Sequence, residues 1–63
     1  MLRSETNGNT REIGQTARAF LRRYGAEAEV VAAGNADTML DRGDVAAFET
    51  WQAVMAAIRG LRH

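Results

Sequence analysis

Three runs of apolar residues at helical spacing, punctuated by glycine, limit what this chain can fold into. Ile13, Ala17, Phe20, Leu21 and Tyr24 make the first run, and Gly25 follows it directly. Ala28, Val31, Ala32, Asn35, Ala36, Met39 and Leu40 make the inward stripe of the second, which ends before Gly43. Phe48, Trp51, Val54, Met55, Ile58 and Leu61 make the third and widest. Residues recurring at steps of three and four share one face of a helix. The chain has no proline, so no run is broken by ring geometry.

The residues between the runs carry the matching boundary signals. Asn9 is placed as an N-cap, with Glu12 three residues on completing a capping box. Gly25 and Gly43 stand where a left-handed residue ends a helix. Glu27 and Glu29 fall in the first turn of the second helix, and Arg42 in its last, so both signs suit the helix dipole. Gly34 and Asn35 are the weak point of that helix. Glycine costs about 1 kcal/mol against alanine in a helix interior, so a kink or break is expected there if anywhere.

Arg42-Gly43-Asp44 is also an adhesion tripeptide. An adhesion loop needs it on a mobile tip. Here it reads as a stop, a turn and a start, because Asp44 is a good N-cap for the third helix. The expected fold is therefore all-α, with three short helices. They form an antiparallel bundle, or a helical hairpin with an N-terminal helix. Residues 1–9 form a frayed arm, the first helix spans about 10–24, and residues 10–63 form one helical domain. Ala26 to Ala57 has the outline of a tetratricopeptide hairpin, without that repeat's full pattern or its multiple copies.

The stretch from Phe20 to Leu61 resembles an uncharacterised family of short bacterial proteins. The residues that carry the likeness are Tyr24-Gly25, Ala28, Ala32, Ala36, Gly43-Asp44, Trp51 and Val54 to Ile58. The resemblance covers about residues 17 to 61 and implies helical architecture. It implies no activity.

Several function classes are weakened by composition. A chain of 63 residues buries a small core, and without cysteine it has neither a disulfide nor a thiolate metal site. The one histidine is His63, too little for a metal centre, so no cofactor is expected. Glu27, Asp37, Asp41, Asp44 and Glu49 are spread over helix surfaces and a cap, so no catalytic residue is assigned and the chain is read as a non-enzyme. Residues 1–10 lack the apolar run of a signal peptide, and no stretch is long enough to span a bilayer, so a cytoplasmic location without membrane contact is expected.

Arg11, Arg18 and Arg22 line one strip of the first helix together with Gln15. The strip is read first as an ordinary solvated face. The functional reading is a grip on phosphates or on an acidic partner, disfavoured by the balanced net charge. Helix-turn-helix reading of DNA is opposed by the acidic start of the third helix, Asp44 and Glu49. Trp51 is either core or an anchor for a partner. Beside it, Ala46, Ala53, Ala57 and Gly60 make a face of small residues that suits close approach by another helix or another chain.

The sequence thus points to a small helical interaction protein whose partner is first of all itself, as a homodimer, and otherwise another protein. A nucleic-acid-associated regulator is the alternative. The candidate partner-binding residues are Arg11, Arg18, Arg22 and Trp51.

Overall fold

The computed structural model describes the backbone of residues 2–62 and the side chains of residues 10–62. Helix α1 spans Leu2–Tyr24, α2 Ala28–Asp41 and α3 Val45–Leu61, and a 3-10 turn, Gly25–Glu27, joins the first two. No strand occurs among the described residues, so the chain is all-α.

The expected count of three separate helices is corrected. No non-helical residue intervenes between Leu2 and Asp41, so α1 and α2 are the limbs of one bent helical path and α3 is the second. Gly25 adopts φ 57°, the left-handed conformation that ends α1. The next residues resume helical turns at once, so the glycine bends the path and does not open a loop. The backbone of α1 is helical from Leu2. The proposed Asn9 cap and the 1–9 arm involve side chains outside the described residues.

The second boundary behaves as its residues dictate. Gly43 has φ 79°. Its N–H donates to the Leu40 carbonyl at 2.9 Å, and the Asp44 N–H donates to the Met39 carbonyl at 2.9 Å. These two bonds are the Schellman pair that satisfies carbonyls left over at a helix end. Asp44 then caps α3, its Oδ1 accepting from the Ala47 N–H at 3.1 Å. The adhesion tripeptide is thus a helix junction. Asp44→Ala is expected to lower stability by about 0.5–2 kcal/mol, the usual cost of losing an N-cap. Chemical denaturation of the wild type and of this variant, followed by circular dichroism, measures it, and an unchanged midpoint rejects the cap's contribution.

Helix α2 is continuous through Gly34 and Asn35, with the Thr38 hydroxyl donating back to the Gly34 carbonyl at 3.1 Å. Its buried residues are Ala28, Ala32 and Ala36, one per turn along a single seam. Val31, Asn35 and Met39 beside them are half-buried. Leu40 departs from expectation: it lies one turn beyond Ala36, at the turn end of the hairpin, and is 50% exposed.

Helices α2 and α3 form the main packed pair, and α1 lies chiefly on α3. The α2–α3 pair is antiparallel, because Glu29 in the first turn of α2 meets Arg59 in the last turn of α3 at 2.7 Å. Arg62 stands 3.8 Å from the same carboxylate. The core is small. Its buried members are Ala17, Ala28, Ala32, Ala36, Val54 and Ile58, with Ile13, Phe20, Leu21, Trp51, Met55 and Ala57 packed partly against it.

Candidate interaction surface

Trp51 projects from the second turn of the α3 helix onto α1. Its ring centroid lies 5.4 Å from that of Phe20, and Phe20 in turn meets Tyr24 edge-on at 5.1 Å. Tilted and edge-to-face contacts at such distances suit the ring quadrupoles. Arg23 extends over the Tyr24 ring at 5.8 Å, within cation–π range. Phe20 and Tyr24 are one turn apart on α1, so the three rings form a seam that fastens α1 to α3. This seam was not legible in the sequence, where nothing says which face of α3 would meet α1. Trp51 is therefore a packing residue, and it remains half-buried.

The rest of the α3 stripe is also covered only in part. Val54 and Ile58 are buried, while Phe48 and Met55 are half-buried and Leu61 is 44% exposed. In the small-residue face beside it, Ala53 and Ala57 are half-buried and Ala46 and Gly60 are exposed. At the hairpin end, Leu40 and Val45 flank the Gly43 turn, with Val45 55% exposed.

Arg11, Arg18 and Arg22 are all exposed, as is Gln15 between them. None of the three forms an ion pair with another described residue. The one described cluster of ion pairs, Glu29 with Arg59 and Arg62, instead joins the ends of α2 and α3. Its signal in the sequence was the acidic first turn of one helix and the basic last turn of its antiparallel neighbour. Exposed pairs of this kind contribute about 0–1 kcal/mol. The double substitution Arg18→Gln with Arg22→Gln is expected to leave stability within roughly ±0.5 kcal/mol per site. A thermal melt of the double variant checks this, and a large loss would assign the strip a structural role.

The carboxylates Glu27, Asp37, Asp41, Asp44 and Glu49 are exposed, each on a helix surface or at a cap. No group of three or more potential metal-ligating His, Cys, Asp or Glu side chains occurs among the described residues. A hollow of about 90 Å³ lies between α1 and α3, lined by Glu12, Ile13, Thr16, Thr50 and Val54. Another of about 240 Å³ lies along α3 beside Gln52, Met55, Ala56 and Arg59. Both fall below the roughly 300–1,000 Å³ of typical ligand pockets. No helix among the described residues is long and apolar enough to cross a membrane.

No protein-family model, curated protein or solved structure matches this chain. Gly25, Gly43 and Asp44 make the junctions, Ala28, Ala32 and Ala36 the α2 seam, and Trp51, Val54 and Ile58 the α3 side of the core.

Proposed function

We propose that this protein is a small non-catalytic helical interaction protein of the cytoplasm that associates with a second copy of itself through α3. The observation that carries this reading is the composition of the core. Of its six buried residues four are alanines, while Phe48, Trp51, Met55 and Leu61 along α3 keep part of their apolar surface in water. Alanine contributes little apolar area, and a domain this short has no disulfide to compensate. A second chain laid on α3 covers the remaining apolar stripe, and the small residues beside it allow close approach. Twofold pairing is the commonest way for one chain to cover such a face.

Sedimentation at micromolar concentration tests the reading. The expected result is a dimer or larger species whose melting temperature rises with protein concentration. A monomeric mass with a concentration-independent cooperative melt rejects it.

The second reading is a nucleic-acid-associated regulator that uses Arg11, Arg18 and Arg22. What favours it is that these three guanidinium groups stand exposed on one strip with no described ion-pair partner. A gel shift that weakens steeply with salt supports it, because phosphate contacts release counterions. No shift at low salt rejects it.

A further inference from the structure

The outer face of α2 has features that the fold leaves unused. Val30, Gly34, Asp37 and Asp41 follow one another at steps of four, three and four, on the side opposite Ala28, Ala32 and Ala36. Val30 is 71% exposed, and Asp37 and Asp41 make no ion pair with a described residue. Gly34 is an interior helical residue that needs no special backbone conformation, and a Cβ there would meet nothing within 4 Å. Nothing in the packing of one chain calls for a glycine at that point.

Arg11, Gln15, Arg18 and Arg22 follow at the same steps of four, three and four on the outer face of α1. Charge is segregated to match. Residues 10–24 hold Arg11, Arg18, Arg22 and Arg23 against Glu12, whereas residues 25–50 hold six carboxylates against Arg42. Aligned in parallel, the two strips set Arg18 against Asp37, Arg22 against Asp41, and Gln15 against the bare backbone of Gly34.

We infer that the arginine strip of α1 docks on the Val30–Gly34–Asp37–Asp41 strip of α2 in a second copy of this chain. The inference rests on the proposed self-association and adds a contact separate from α3. Because the two strips are different surfaces, the contact is heterologous and repeats head to tail. Glycine at the centre of the acidic strip lets the helices approach closely, and the paired charges set the register. Guanidinium on carboxylate is the bidentate pairing for which arginine is suited.

Charge reversal tests it. Variant one carries Arg18→Glu with Arg22→Glu, and variant two carries Asp37→Arg with Asp41→Arg. All sites are exposed, and circular dichroism verifies that each variant stays helical. Sedimentation of the wild type is expected to show association that weakens from 0.1 M to 1 M salt, as the screening length falls from about 10 Å to about 3 Å. Each variant alone is expected to associate at least about tenfold more weakly, since like charges then face each other. An equimolar mixture of the two, or one chain carrying all four changes, restores the wild-type mass.

A monomeric wild type at both salt concentrations overturns this inference together with the self-association reading. A wild type that associates, with variants of unchanged mass, overturns the inference alone. So does a loss of mass that mixing fails to restore. A fluorescent oligonucleotide bound by the wild type and by variant two, but not by variant one, with no change in mass, assigns the arginine strip to nucleic acid and also overturns it.

Discussion

Replacing Ile58 by alanine is expected to cost about 2–5 kcal/mol and to abolish most of the cooperative unfolding transition at room temperature. Ile58 is fully buried, and it is the largest side chain in the core with no exposure. Its fully buried neighbours are the small Ala17, Ala28 and Ala32 with Val54, and the larger Ile13, Phe20, Leu21, Trp51 and Met55 pack only partly against this cluster, so the space it leaves is filled only at the cost of moving them. A chain of 63 residues has a total stability of roughly 3–9 kcal/mol, so the loss is comparable with the whole. Denaturation in urea, followed by circular dichroism, measures it. A midpoint shift equivalent to less than about 1 kcal/mol would show that α1, α2 and α3 do not share this core.

Enlarging the α2 seam is expected to have the next largest effect. Ala32→Leu places three further carbons where the side chain has no exposed surface and α2 meets α3 most extensively. Overpacking of this kind costs about 1–3 kcal/mol through displaced rotamers and backbone. The same change at Ala33, one residue on and half-buried, is expected to cost less, because part of that side chain reaches water. Comparing the two melting temperatures separates seam packing from helix propensity, which rates leucine nearly as well as alanine at either position. Equal effects at the two positions would reject the close α2–α3 seam.

Much of the local structure was readable before any packing was known. The ends at Gly25 and Gly43 and the cap at Asp44 were each named from residue type and spacing, and each has the expected backbone or hydrogen bond. The seam of Ala28, Ala32 and Ala36 followed from its steps of four. The exposure of Arg11, Arg18 and Arg22 followed from their place opposite Ile13 and Phe20. These features depend on the chain within a few residues of the site, where glycine, aspartate and periodicity act directly on the backbone.

Contacts between distant segments were less legible. Leu40 shares the inward face of α2 by spacing, yet it is half-exposed because it lies beyond the covered part of the hairpin. Helix α1 was identifiable as amphipathic, but its attachment to α3 through Trp51, Phe20 and Tyr24 depended on the direction in which the chain leaves Gly25. That direction was underdetermined in the sequence. A glycine there announces a helix end and leaves open whether a loop or a resumed helix follows. Here a 3-10 turn carries the helix on, so α1 and α2 become one bent path.

Sequence alone therefore determined the helical class, the two glycine junctions, the Asp44 cap and the inward and outward faces of each helix. Those properties arise from short-range backbone geometry and side-chain periodicity. Tertiary structure decided which faces meet, how far each is covered, and that Glu29 pairs with Arg59. Burial and ion pairing depend on surfaces brought in from elsewhere in the chain, and no local pattern says where those surfaces will lie.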